Sequence, residues 1–519
     1  MNKVLALLLA GLVSMSFARV ARAQEGRGVT LRDAMRVAVG RNPALAGKFA
    51  DVDIADARVL EARGLDDFVV DASGNWTRTR ADNVDAQTLP YSPYDRVGLA
   101  ASLTRPLSTG GSVALKLDAP YVRRGLSISP DPTFGLVPME AYAPSVQLAL
   151  TQPLLRGRGY DVARAKARQA NADRGVASRT LVAEASGLLR DVAYAYWELA
   201  YATGTLSLRR DALEATREQL RAVMAQIEVG KQSPSGSAEV EVSVATREEE
   251  LIDSERELAQ RSADFARLLG FGANEPSPMF RAAEQPAVQA AAQRGVLARA
   301  IAQNAEIQSL HAQAAAASID IDVAENALLP AFDVYASGGA LGIATDPKQA
   351  LSNLASFGGY TVQAGFVFQE PIERRGPRGA RDAAIERARK ARLAETEART
   401  RVASDVASAL AALDATHRRS AVLTHAVEVA DLDLAGEKAR FQANRSTNFD
   451  VLRRQQAATD VRLRLLRAEI DNAEAAATLD ALTTDILSRH GIVLRGGPPS
   501  TPNLSVLPGN AGKELASTP

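Results

Sequence analysis

Metal binding and acid–base work near neutral pH would fall first to the histidines, His311, His417, His425 and His490, because the chain has no cysteine. None belongs to an H-E-x-x-H or other ligand cluster. His417 and His425 stand eight residues apart, so one helix turns them to similar faces. A zinc site needs three or four donors, and the sequence supplies no third one nearby. There is no G-x-x-x-x-G-K-[ST] phosphate loop, no G-x-S-x-G nucleophile turn and no dinucleotide-binding glycine pattern. No catalytic residue, metal site or cofactor is therefore expected, and any energy the chain uses must come from a partner.

Composition narrows the remaining classes. Lys+Arg and Asp+Glu both number 61, so the formal net charge is zero, where a general nucleic-acid binder carries a basic excess. Without cysteine there is neither a disulfide nor a thiol for a lipid anchor. Lys3, the apolar run Val4 to Phe17 and the Ala21-Arg22-Ala23 site make 1–23 a signal peptide, with a mature chain from about Gln24. No later run reaches 18 apolar residues, so any crossing of a membrane must use β-strands closed into a barrel.

The order of elements recurs. NPAL at 42–45 is echoed by NAEI at 304–307, QPLLRGRG at 152–159 by QEPIERRGPRG at 369–379, and the stretch from Val229 by the one from Phe441. Between these marks run two heptad stripes, Val192, Leu199, Leu206, Leu213, Leu220, Ile227 and Val406, Leu413, Ser420, Val427, Leu434, Phe441. A constant offset of 214 separates them. Apolar residues every seven positions are the signature of a coiled coil, and only Ser420 interrupts it. A helix over 158–229 would be about 100 Å long, flanked by helices over 30–66 and 238–270 about half that length. We read a signal peptide (1–23), a first repeat (24–271), a Pro-containing linker (272–293), a second repeat (294–487) and a disordered tail (488–519).

Elsewhere the period changes to two. Val146, Leu148 and Leu150 alternate with polar or small residues, as do Val362, Phe366 and Phe368, Phe332 and Val334, and Phe68 and Val70. Such segments fit barrel strands with one face to lipid and one to water. Trp76 and Tyr335 are candidates for an aromatic girdle, or simple surface aromatics. Val97–Arg105 and Val113–Asp118 form a further hairpin around Ser108-Thr109-Gly110-Gly111. Residues 80–95 and 119–143 read as exposed loops.

Together these features resemble the TolC-like outer-membrane efflux protein family over about 29–487. The residues that carry the resemblance are the NPAL and NAEI helices, Leu329-Pro330, Gln152-Pro153-Leu154-Leu155-Arg156-Gly157, and the helical turns ending in Ala238-Glu239-Val240 and Phe449-Asp450-Val451. The resemblance implies a mainly α fold with transmembrane β-structure: long antiparallel coiled-coil helices in two repeats, and strands given to a shared trimeric outer-membrane barrel. It implies a homotrimer, four strands from each protomer, a periplasmic helical tunnel, and docking on a periplasmic adaptor and an inner-membrane pump. The hairpin 97–118 departs from that pattern and either widens the barrel or lies outside it.

The family also implies functional positions. Asp450 falls on its inner acidic position at the periplasmic aperture, where ringed carboxylates would favour cations. One turn on, Arg453 replaces a second acid, so the two pair with each other or remain solvated helix-surface charges. The turns holding Gly230, Lys231, Asn444 and Arg445 close antiparallel helices and are adaptor-docking candidates; Gly and Asn suit the left-handed conformations such turns need. The expectation is a passive outer-membrane exit duct for a tripartite pump or type I secretion system. The alternative is a periplasmic coiled-coil adaptor, which would lack paired amphipathic strands.

Overall fold

Asn42 and Pro43 split the first helical stretch in two. Asn42 leaves the helical conformation, and its side chain accepts bonds from the Ala44 and Leu45 amides at 2.9 and 3.2 Å. Pro43 starts the next helix, at the position where a missing N–H costs nothing. In the computed structural model, which describes residues 27–79, 94–127, 136–229, 233, 235–272, 278–289, 295–443 and 445–494, the helices are therefore α1 (Leu31–Arg41) and α2 (Pro43–Arg63). The signal-peptide reading lies outside the described residues. A short turn, α3 (Tyr160–Ala163), precedes the long α4 (Ala165–Glu228), and α5 (Ser235–Leu268) follows it. In the second half come α6 (Val296–Gln303) and α7 (Ala305–Asn326). After them run α8 (Pro347–Ala355), α9 (Arg375–Gln442), α10 (Asn448–Leu482) and α11 (Asp485–Arg489).

Two units emerge, Met1–Asp53 with Ala177–Leu310 and Ala394–Pro519, and Ile54–Val176 with His311–Leu393. The first is helical. Val192, Leu199, Leu206 and Leu213 are buried along α4, as are Val406, Leu413, Ser420 and Phe441 along α9. Ion pairs run antiparallel between α4 and α5, Arg209 to Glu250 at 2.7 Å and Arg217 to Glu248 at 2.8 Å. Between α9 and α10, Arg462 pairs with Asp431 at 2.8 Å and Arg454 with Asp433 at 2.9 Å. Each surface pair is worth about 0.2–1 kcal/mol, so the buried seam supplies most of the cohesion and the charges set register.

Within the stretch read as a linker, β7 (Phe280–Ala282) pairs in parallel with β1 (Arg27–Val29). Tyr196 anchors this small sheet: its hydroxyl donates to the Val29 carbonyl and accepts from the Glu284 amide, both at 3.1 Å. The fold also runs past 487, where the disordered tail was expected. Leu487 and Ile492 pack on the core around Tyr196, and Leu494 packs on the cluster formed by Leu45, Phe49, Val52, Leu181 and Ala185. Three apolar side chains spaced along a Gly-containing stretch were enough to hold it.

The second unit carries an antiparallel sheet. Its strands are β2 (Val69–Thr79), β3 (Tyr94–Pro106), β4 (Ser112–Ser127), β5 (Leu136–Tyr142), β6 (Ser145–Pro153), β8 (Ala331–Leu341) and β9 (Gly359–Gln369). The order is β2-β3-β4-β6-β8-β9, with β5 beside the far end of β4. Much of 119–143, expected as a loop, is thus strand. Pro120 sits opposite Gly98 and still accepts from the Ala143 amide at 3.0 Å, a use of proline that needs no N–H. Between β8 and β9, α8 is capped by Asp346, whose carboxylate accepts from the Gln349 amide at 3.0 Å. A Cβ on Gly342 would collide with the Ala350 carbonyl, so this helix packs on bare backbone.

Candidate functional site

The sheet has two unlike faces. Facing partners place Val70, Leu103, Leu115, Leu148, Gly338 and Val362 in one row across six strands. The next row, on the opposite face, is Asp71, Ser102, Lys116, Gln147, Gly339 and Thr361. Gln147 donates to Ser337 across that polar face at 2.8 Å. On the other face Val70 is 71% and Val362 75% exposed, with Leu99, Leu148, Phe366 and Phe368 also bare. A continuous apolar surface of this kind is stable against lipid and costly in water.

Aromatic residues mark both ends of the apolar face. Trp76, Val97, Tyr121 and Tyr142 share one row, the two tyrosine rings 4.8 Å apart. Phe332 meets Phe366 and Phe368 towards the opposite end, at 5.7 and 6.4 Å. Trp76 thus stands where a girdle residue would. Tyr335 does not: it lies opposite Thr151 and Gly365, on the polar face, because strand residues alternate and Phe332 and Val334 take the apolar side. Gly365 leaves the space its ring occupies.

The second candidate region is the turn joining α9 to α10. Glu437, only 7% exposed, accepts from the Arg440 guanidinium and the Ser446 hydroxyl, which ties the turn to the end of α9. Thr447 caps α10. Its Oγ1 accepts from the Asp450 amide at 3.3 Å and donates to Asp450 Oδ2 at 2.6 Å. That hydrogen bond, with the Arg453 and Arg454 charges beyond it, holds the Asp450 carboxyl below the usual carboxylate range. Arg453 is exposed, and no ion pair joins it to Asp450 among the described residues. The paired arrangement is therefore replaced by a carboxylate bonded to Thr447. Arg453 instead borders an open groove between α5 and α10, with Val242, Phe449 and Leu452 as its apolar lining and Glu239 and Asp460 as its acids. Beneath, Val223, Val240, Phe441 and Val451 form a small core. Of the docking candidates, Arg445 is exposed on this turn, while Gly230, Lys231 and Asn444 lie outside the described residues.

The family model for outer membrane efflux proteins matches residues 138–271 and 296–484, more than half of the chain. The chain belongs to the outer membrane efflux protein family. Outer membrane efflux protein BepC of Brucella suis biovar 1 (strain 1330) is 26% identical over 291 residues, 55% of this chain. That match spans 60% of the relative's own length. The outer membrane protein VceC of Vibrio cholerae shares the fold at a TM-score of 0.61 and 17% identity, over 87% of this chain and 96% of that one. The open-state MtrE outer membrane channel of Neisseria gonorrhoeae does so at 0.59 and 17%, over 89% and 94%. At such identities the likeness is one of fold.

Two features of this efflux-family chain were not singled out as sites from its sequence. The first is a charged cluster on α10. Arg467 meets Glu198 at 2.6 Å, Asp471 at 2.7 Å and Glu474 at 3.4 Å, its guanidinium 5.3 Å from the Tyr201 ring. Burial pushes the Glu474 carboxyl up to about 7, against the pull of Arg467. The spacing of Arg467, Asp471 and Glu474 along one helix face was the available signal. The second is the paired role of Asn42 and Asn304. Each caps its own helix, and each donates from Nδ2 to a carbonyl at the end of a returning helix, Leu268 and Leu482 respectively, at 3.0 Å. Among the described residues no three His, Asp or Glu side chains group as a metal site, and no helix is long and apolar enough to cross a membrane.

Proposed function

We propose that this protein is the outer-membrane exit duct of a tripartite efflux pump or type I secretion system. Three copies close their sheets into one barrel, and their long helices form a periplasmic tunnel. Substrates pass passively from periplasm or inner-membrane pump to the outside, driven by that pump through a periplasmic adaptor. The observation that carries the reading is the two-faced sheet, an exposed apolar side backed by a polar one, in a chain of the efflux family. A water-soluble adaptor would have no use for such a face.

In this reading Asp450 and Arg453 lie at the periplasmic aperture, and Gly230, Lys231, Asn444 and Arg445 meet the adaptor. Cell fractionation and planar-bilayer recording test it. A heat-resistant trimer in the outer membrane that conducts ions is expected; recovery in the soluble periplasm without conductance would discard it.

A further inference from the structure

We infer that hairpin β3–β4 is part of the membrane wall, so that the trimer closes an eighteen-stranded barrel, not one of twelve strands, and takes correspondingly bulkier cargo. The inference rests on the channel reading above and extends it to the width of the pore.

Position in the sheet is the first ground. β3 and β4 lie inside it, between β2 and β6, and are paired along their lengths: all thirteen residues of β3 face β4. A flap folded away from the wall would leave β2 beside β6; here β4 takes that place through Ser112–Asp118. At thirteen and sixteen residues both strands exceed the roughly 9–11 needed to span a bilayer. The segments β5 and β6, interrupted at Ala143-Pro144, line successive parts of β4 and act as one strand. Each protomer thus offers six strands, an even number. Its two open edges, β2 and β9, are eleven residues each and run in opposite directions. The β9 edge of one copy can therefore pair antiparallel with β2 of the next, leaving no edge exposed.

The faces give the second ground. Leu103 and Leu115 stand in the apolar row with Val70, Leu148 and Val362, while Ser102 and Lys116 stand in the polar row with Asp71 and Gln147. A hairpin outside the wall would need neither alternation nor register with its neighbours.

The turn gives the third. Thr109 Oγ1 donates to Gln152 Oε1 at 2.7 Å, and the Thr109 carbonyl accepts from Gln152 Nε2 at 3.2 Å and the Gly159 amide at 3.1 Å. Gly110 takes φ +93°, and a Cβ there would strike the Gly157 carbonyl. The turn is clamped to the end of β6 and the residues just after it.

Barrel diameter rises about linearly with strand number. At about 4.8 Å between strands and a tilt near 40°, eighteen strands give about 36 Å between opposite backbones and twelve about 24 Å.

The test is electron microscopy of the full-length protein in lipid nanodiscs, with cysteine labelling in the same bilayers, for which the natural sequence offers a cysteine-free background. Eighteen strands are expected around the ring. Leu103→Cys and Leu115→Cys should resist a water-soluble maleimide, and Ser102→Cys and Lys116→Cys should react at least tenfold faster. A twelve-stranded ring with the hairpins outside it, or equal labelling of the two sets, would overturn the inference and leave the channel intact. A protein that forms no membrane ring at all would remove the channel reading and the inference together.

Discussion

At the scale of single residues, ionisation states make the sharpest claims. The Asp450 carboxyl sits below the usual range because Thr447 donates to it, so its negative charge persists from neutral pH down through the ordinary aspartate region. Asp450→Asn should lower cation preference, read as a shift in reversal potential, while leaving the melting temperature nearly unchanged, as expected for a surface site. Unchanged selectivity would place Asp450 away from the constriction. Glu474 has the opposite sign. Its folded value is raised to about 7 from 4.5, so the folded state holds the extra proton between these values and stability falls as pH rises through them. Glu474→Gln removes that dependence. Its melting temperature relative to the parent should climb from pH 4.5 to pH 7, by up to about 3 kcal/mol in equivalent free energy. A flat difference across that range would mean Arg467 compensates the carboxylate fully.

At the scale of elements, duplication is written in side chains that hold helices together. Asn42 and Asn304 each join a helix start to a helix end, and the two carbonyls they reach, of Leu268 and Leu482, are separated by the same 214 positions as the heptad stripes. Asn304→Ala or Asn42→Ala should each cost about 1–2 kcal/mol from the lost cap, more where the carbonyl stays dry, measured as a lowered melting temperature. Much of this level was legible beforehand. The heptads of α4 and α9 and the alternation in β6 and β9 announce their own periods, because burial on one face selects side chains directly. Less legible were β4 beyond Asp118 and β5. There Pro120 and Pro138 mimic loop composition, and the residues paired with them, Gly98 and Gly125, carry no side chain whose alternation would mark a strand. The cluster of Glu198 with Arg467 is hidden for a different reason: its halves are 269 residues apart. Asp450 and Arg453 were named by family likeness alone, and periodicity gave no hint that Thr447 would take the carboxylate.

At the scale of the whole molecule, the proposed barrel of three copies would make every residue count threefold. One substituted carboxylate would remove three charges from the proposed ring, and one altered strand edge would change three seams. The helix α8 shows how far this reaches. Leu354, near its end, shares a cavity with Ser73, Asp118 and Ser145, members of one row on the polar side of the sheet. Gly342→Val should push this helix off the wall at a local cost of about 1–3 kcal/mol. The expected readouts are faster protease cleavage within 342–358 on intact cells and easier passage of bulky organic ions in bilayers. An exporter with the proposed wide bore would leave the cell open to traffic in the other direction. Three short helices resting on the inner wall would act as baffles at the mouth, and a cell carrying the glycine variant should reveal their worth through greater sensitivity to large toxic solutes from outside.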